Sequence, residues 1–578
     1  MRLTRLVVGA ALAASALLPV SPAAQASPAV GTVASGSAVE PFDARFTLTR
    51  VDGVKSDLIS AVETAGVSTA PVTEVLGSRS GRPGLCHATG LNGALRPDGF
   101  CWDDQDDRTG YTDAGGGWMP QGFAGAHASG SADGTYQGRT LFAASWYFGV
   151  LNQPEEYTRV SIAESAGGGA PVSYGHVALV EPVAGGDFKK PAFPSHADGV
   201  AWYRDRLFVA NGAELQVYDL NHLWRMTDTT SAATGLGGGK SSARYHRWAL
   251  PLVARYSTVS TAALDDPSTA FLRGNPRACG PAAENLGELC MSSLSVDLSD
   301  TVNGPALIST EHRSEGGARI VRWPLDGLET GTPEQVAAHG TAYTSPVTGI
   351  QGIAKGGDTF YMSGSCPTGF PAGHACLHAA RAGEAPRVLT QAPYLTQGLS
   401  FDPRAGRLWG YNEALENAGG GRRVVFSVDP AAGAAADGWG WLTNHHRPGA
   451  ICATPLGNAT ANGTVVTVWS CTGSPVQRWQ YDPVNRLLVH RASGRCLTPK
   501  ANGANVDGAV LTLWTCNPAS DVQRFTPDPV TGLLVNAFGK AVATKGNSLA
   551  DGTTLTLWTR ATSSGAASDA QDWSVKGF

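Results

Sequence analysis

What this chain has little of narrows it before any motif does. Only 16% of its 578 residues are charged, and Lys plus Arg (43) fall below Asp plus Glu (48), a formal net charge of -5. No basic surplus is left over for nucleic acid or for an anionic membrane surface, so neither is expected as a partner. Beyond Ala26 no apolar run is long enough to cross a bilayer. The ten cysteines include no Cys-x-x-Cys, and no paired-histidine spacing accompanies them, which speaks against a zinc site. His-Glu-x-x-His and Gly-x-Ser-x-Gly are absent too, so two common hydrolase chemistries have no foothold. Gly237-Gly238-Gly239-Lys240-Ser241 resembles a phosphate loop, but the first glycine of that motif would fall on Thr234.

What is present is turn-forming and apolar. There are 72 Gly and 35 Pro, with 42% hydrophobic residues. That composition suits many short strands and several domains better than helical bundles. Residues 1–26 read as a secretory signal: Arg2 and Arg5, then the apolar run Leu6 to Val20, then Ala24-Gln25-Ala26. A mature start near Ser27, a small-residue linker over 27–41 and a secreted, extracellular location are the expectations. An even cysteine count in that compartment reads as disulfides. The neighbouring pairs are Cys86 with Cys101, Cys279 with Cys290, Cys366 with Cys376, Cys452 with Cys471 and Cys496 with Cys516.

The strongest signal is a repeat. Ile451 to Cys471 closes with Gln477-Arg478-Trp479, Cys496 to Cys516 with Gln523-Arg524-Phe525, and Gly539 to Thr559 with Gln571-Asp572-Trp573. Anchor tryptophans Trp469, Trp514 and Trp558 recur at a period of roughly 45 residues. Each follows an alternating apolar-polar run, the pattern of a half-buried strand. These residues resemble the ricin-type β-trefoil lectin family over about 438–578. The resemblance implies a β-trefoil, a polysaccharide or glycan as partner, and a bridge within each of the first two repeats. Ala541 and Thr559 stand where the third repeat's cysteines would be, so it should lack one. The family's sugar pockets carry an Asp two residues after the first Cys and an Asn just before the Gln. Here Thr454, Thr498 and Ala543 hold the first position, and Val476, Val522 and Ala570 the second. The candidate carbohydrate-binding residues are therefore Trp469 with Thr454 and Trp514 with Thr498, threonine being a weaker acceptor than a carboxylate. Packing alone is the other use for these tryptophans, and the third repeat is expected to be inert.

Upstream, over 118–432, short apolar strands follow one another: Leu141–Phe148, Val177–Val183, Gly199–Tyr203, Leu207–Ala210, Ala306–Thr310, Thr359–Ser363 and others. A polar-Gly-apolar opening recurs at Gln121-Gly122-Phe123, Asp198-Gly199-Val200, Gln351-Gly352-Ile353 and Gln397-Gly398-Leu399, and Met291 to Leu298 opens a group without the glycine. This resembles a β-propeller of five blades, six if residues 42–117 add one, and it is similar to secreted actinobacterial proteins, a likeness that carries no activity. The fold class is all-β: a propeller followed by a trefoil. Gln121, His196, Asp198, Gln351 and Gln397 would ring one mouth of the channel, either holding a ligand or satisfying backbone groups at strand starts. His196 and Asp198 form the titratable pair in this set. Residues 42–117 contain one short helix, Ser56 to Ala65.

Asp103, Asp104, Asp106 and Asp107 follow Cys101-Trp102. They could hold calcium, though the EF-hand spacing is missing, and a solvated acidic turn explains them more simply. No other cofactor is indicated. Two functions stay open. The first is a secreted lectin-like binding protein whose propeller holds a ligand or acts as scaffold. The second is a secreted glycan-active hydrolase or lyase with the trefoil as targeting module. An inverting hydrolase needs two carboxylates flanking the bond, and Asp104, Asp107, Asp198, Glu311 and Glu413 are the candidates. Two carboxylates across an open cleft at the channel mouth would favour the enzyme, whereas amides and aromatics there would favour binding. The absence of a matching hydrolase motif inclines the reading to binding. Non-reducing peptide mapping of the protein should recover Cys452–Cys471 and Cys496–Cys516 as linked peptides, and free thiols at those positions would contradict the repeat.

Overall fold

The computed structural model describes residues 38–576, except 43–45, 88, 93–94, 108–115, 150–156, 166–170, 192–195, 260–288, 301–302, 368–373, 414–421, 433–439, 445, 447–450, 473, 483–484, 529–532 and 562–568. The signal segment, most of the linker and Cys279 lie outside the described residues. Among the described residues no helix is long and apolar enough to cross a membrane.

Five strand groups stand side by side, and their first strands are Gly117–Gly125, Gly199–Tyr203, Ser293–Asp297, Gly352–Gly356 and Thr396–Asp402. Each packs against the next and the last returns to the first, which closes a five-bladed propeller. What permits the ring is the size of one residue per blade. A Cβ on Gly122 would lie 2.3 Å from the Val200 nitrogen, and one on Gly199 2.4 Å from that of Leu294. A Cβ on Gly352 would lie 2.2 Å from the Gln397 carbonyl, and one on Gly398 2.4 Å from the Phe123 nitrogen. The blade that opens without glycine has Ser293 at this level, and its Oγ accepts the Ile353 N–H at 2.9 Å. Two more serines tie the blades together from the second strands. Ser145 Oγ accepts the Gly122 N–H and donates to the Ala197 carbonyl, and Ser363 Oγ donates to the Gln397 carbonyl.

The described residues of 42–117, with Glu40 and Pro41 just before them, do not add a sixth blade. Their strands finish blades begun far downstream. Asp98–Cys101 pairs with Val425–Val428 of the last blade, and Arg79–Pro83 bridges two blades: Arg82 and Pro83 pair with Asp98–Cys101, and Arg79 to Gly81 with Val172–Val183 of the first. Thr47–Arg50 joins the second blade beside Trp248–Ser257, and Glu40–Phe42 edges the third beside Ala342–Ser345. The reason is edge protection: an outer strand left unpaired exposes backbone donors and acceptors, and a segment from the far end of the chain covers them. The helix expected near Ser56 runs Ser56–Thr64 and buries Ile59 and Val62.

The C-terminal repeats form the trefoil. Leu442, Ile451, Val468, Trp479, Leu497, Leu513, Phe525, Val542, Leu557 and Trp573 pool into one buried core to which every repeat contributes. The closing aromatics are interior, and the indoles of Trp479 and Trp573 donate to the carbonyls of Ala453 and Val542 at 2.9 and 3.1 Å. The bridges Cys452–Cys471 and Cys496–Cys516 form within their repeats, and Cys86–Cys101 and Cys366–Cys376 form in the propeller. The pairing of Ala541 opposite Trp558 shows that Arg560, not Thr559, occupies the place of the third repeat's second cysteine. Arg560 Nε donates to the Gly539 carbonyl. Thr559 is instead the equivalent of Ser470 and Thr515.

Gly199→Ala should lower the unfolding free energy by about 1–3 kcal/mol or more, the usual effect of overpacking, because its Cβ would meet the backbone of the neighbouring blade rather than a movable side chain. Urea unfolding of the two proteins measures it, and Gly237→Ala, where a Cβ meets nothing within 4 Å, is the control.

Candidate functional site

Two surfaces gather the residues singled out from the sequence. The first is the trefoil. Trp469, Trp514 and Trp558 are 43%, 49% and 41% exposed, against a protein whose other tryptophans are largely interior. Each ring is seated on a loop of another repeat. A Cβ on Gly552, Gly463 or Gly508 would touch the rings of Trp469, Trp514 and Trp558 at 3.7, 3.6 and 3.9 Å, and all three glycines have φ between 81° and 84°. The residue after each tryptophan is fixed to the same loop. Ser470 donates to Asp551, Thr515 to Asn462, and Thr559 to Asp507. The three platforms are thus built alike, including the one in the repeat expected to be inert.

The threonines are placed differently from the expectation. Thr454 and Thr498 are 5% and 6% exposed. Their hydroxyls donate to the carbonyls of Cys452 and Cys496 and accept from the Gln477 and Gln523 amides at 3.2 and 2.9 Å. A hydroxyl has one proton, and here it is committed inward. The threonines therefore hold the closing glutamines, whose amides in turn clamp the loop after each tryptophan strand, through Ser470 and Thr472 in the first repeat and Thr515 and Asn517 in the second.

The second surface is the propeller mouth. Gln121, Asp198, Gln351 and Gln397 each directly precede the close-approach glycine of their blade, so the ring of contacts described above brings them to one level at one end of the channel. Ser292 occupies that level in the third blade, where its hydroxyl faces the Ile350 and Thr310 carbonyls. His196 Nδ1 lies 2.7 Å from Asp198 Oδ1, and the His196 ring stacks on Tyr147 with centroids 4.2 Å apart. Asp198 Oδ2 accepts the Gly212 N–H, and Asn211 Oδ1 accepts the His196 N–H.

Glu413 brings a carboxyl to the side chains of Gln397 and Gln121. Gln397 Nε2 donates to Glu413 Oε2 at 2.8 Å, and Gln121 leans toward the same carboxyl. Burial raises the affinity of Glu413 for its proton, only partly offset by His196, Gln121, Arg423 and Gln397. Among the carboxylates considered, Glu311 is taken up by Arg319 and Arg313. The floor is chiefly amide and aromatic, with Glu413 among the amides and Asp198 tied to His196. Glu413 and Tyr147 acquire their places here through folding alone. The one local hint for Glu413 is its position directly after a strand end, Arg407–Asn412.

The acidic run after Cys101 meets cations of the protein itself. Asp106 accepts from Arg159 at 2.8 Å, Tyr174 at 2.7 Å, Arg79 at 2.9 Å and His176 at 3.0 Å. Asp107 meets Arg82 and His87, Asp103 meets Arg79, and the exposed Asp104 faces Arg82. The four carboxylates fall into two sets, Asp103 and Asp106 on Arg79 and Asp104 and Asp107 on Arg82, rather than turning toward one point. Burial works against the Asp106 anion, but His176, Arg159 and Arg79 outweigh it and hold its carboxyl well below the usual range. Among the described residues, the one grouping with metal-ligand proximity is Cys86, His87 and Cys101, and its two sulfurs are joined in a disulfide.

With this geometry in place, the comparisons are brief. The ricin-type beta-trefoil lectin domain matches residues 439–525. No curated protein matches the chain. Among solved structures, the designed three-fold symmetric protein ThreeFoil is 24% identical, covering 24% of this chain and 96% of its own, with a TM-score of 0.21. The Vibrio vulnificus hemolysin/cytolysin β-trefoil lectin, with N-acetyl-D-lactosamine bound, is 21% identical, covering 24% and 91%, TM-score 0.19. An exo-β-1,3-galactanase from Clostridium thermocellum is 14% identical, covering 81% and 98%, TM-score 0.31. The C-terminal part of this protein is a ricin-type β-trefoil lectin domain.

Buried neutral histidines make the propeller acid-labile. Burial pushes His246 down to about 3 and His378 to about 4, from an ordinary 6.5, with Arg159 contributing at the first. The folded state therefore binds fewer protons than the unfolded state between these values. Stability is complete above pH 6.5 and falls as the pH drops toward 4, by on the order of 1 kcal/mol per pH unit for each histidine. Urea midpoints at pH 7 and pH 5 should differ in that sense, and His378→Asn should shrink the difference.

Proposed function

We propose that this is a secreted glycan-binding protein that grips polysaccharide through the three exposed tryptophans of its trefoil, with the propeller as its ligand-holding or scaffolding body. The observation that supports it is the repeated platform. A tryptophan exposed by two-fifths or more, and held from below by a neighbouring repeat, keeps a flat apolar face in water. Such a face suits the apolar side of a sugar ring, with little ordering left to do on binding. Disulfides in both domains fit the extracellular setting.

Because the threonine hydroxyls are turned inward, each site relies on its tryptophan more than on polar contacts. Affinity per site should be poor, around millimolar, or about -4 kcal/mol. Sites on one domain still hold a polymer together, since the second contact forms at raised effective concentration. The full-length protein should be retained on an insoluble polysaccharide far better than any monosaccharide can displace it. Trp469→Ala, Trp514→Ala and Trp558→Ala should each weaken retention by a similar factor, the third platform being built like the others, and the triple replacement should abolish it. Affinity electrophoresis or pull-down across several polysaccharides measures this. Full retention of the triple variant would remove the trefoil from glycan binding.

A further inference from the structure

We propose that the mouth of the propeller channel is a second binding site, for an uncharged polyhydroxylated ring such as one sugar unit of a neutral glycan, held by the Gln121 and Asn211 amides and the Glu413 carboxyl beside Tyr147. It does not rest on the trefoil reading, and it is tested with the trefoil tryptophans removed.

The first observation is an unmet demand. Gln121 is 2% exposed and Asn211 1% exposed; the Asn211 amide nitrogen makes no hydrogen bond within the protein, and the Gln121 amide has only the Glu413 carboxyl to turn to. A buried donor left in that state is destabilising, and its persistence at a channel mouth points to a partner from outside. The second is convergence. Gln121 leans toward Glu413, which Gln397 already holds, while Asn211 supports His196 through its oxygen. The third is charge. Asp198 is paired with His196, and the buried Arg423, which donates to the Asp106 backbone carbonyl, has the Asp106 and Glu413 carboxyls as its charge partners. With the cations matched in this way, an anionic ligand gains little, and the same holds for a cation. A hydroxyl, which both donates and accepts, fits amide nitrogens and a carboxyl at once. Tyr147, stacked on His196, adds an aromatic flank. A neutral sugar ring meets all of these conditions.

The ligand role and a structural role predict opposite things for Gln121→Leu. If the amide only supported the fold, leucine would lower the melting temperature. If it waits for a ligand, leucine removes a buried donor that the protein satisfies only in part, so the melting temperature stays close to that of the parent while binding is lost. The experiment uses the full-length protein with Trp469, Trp514 and Trp558 all replaced by alanine. It is applied to an array of neutral oligosaccharides, with uronic-acid oligosaccharides as the charged comparison. Binding of at least one neutral oligosaccharide, reduced tenfold or more by Gln121→Leu and by Glu413→Leu, is the expected result. A fold lost in Glu413→Leu leaves the Gln121 measurement to decide. The absence of any neutral ligand, a preference for the acidic set, or a Gln121→Leu protein that melts lower or still binds would each overturn the proposal. New reducing ends that Glu413→Gln abolishes would overturn a purely binding role and make the carboxyl a proton donor to a leaving group.

Discussion

Everything in the larger domain depends on how closely five inner strands approach one another at a single level of the channel. At that level a Cβ on Gly122, Gly199, Gly352 or Gly398 would meet neighbouring backbone at 2.2 to 2.4 Å, and Ser293 fits only because its hydroxyl bonds the next strand. Backbone packed this tightly leaves no room for adjustment, so it holds the residue one position earlier in place alongside that residue's own contacts, such as Asp198 with His196 and Gln397 with Glu413. That is how Gln121, Asp198, Gln351 and Gln397 come to share a rim. The constraint that closes the ring also builds the floor on which a ligand could rest.

The trefoil solves a similar problem with the polarity reversed. Its interior is pooled from three repeats that could not bury their apolar faces alone, and its strand ends carry tryptophans outward onto glycines of a neighbouring repeat. Those glycines adopt a left-handed φ that side chains rarely accept, which leaves the turn bare beneath the indole. Platform and fold are thus one device. Loss of the third bridge does little to it, because Ser470, Thr515 and Thr559 anchor their tryptophans to the neighbour's Asp551, Asn462 and Asp507 without any sulfur.

Sequence reasoning reached furthest where the signal was local and repeated. The five blade openings mark the five inner strands, strands such as Gly199–Tyr203 and Ala306–Thr310 lie where alternation put them, and the trefoil bridges join the paired cysteines. It reached least where a residue's meaning depends on a distant partner. Thr454 reads as a sugar acceptor, whereas in the fold Gln477 bonds to it; Asp106 reads most simply as part of a solvated acidic turn, whereas in the fold Arg79, Arg159 and His176 surround it.

The chain by itself determined its classes of element: period-two alternation marks half-buried strands, and in-register repeats mark a trefoil, because both record which side of the backbone meets water. Only the tertiary structure decided that Asp98–Cys101 completes the last blade and that Arg79–Pro83 joins it to the first, rather than making a new blade. It alone set Glu413 beside Gln397 and Gln121. The physical reason is common to all three. Burial is a property of one residue and its near neighbours, whereas pairing across some 300 positions is chosen by the packing of the whole ring, and no local pattern encodes that choice.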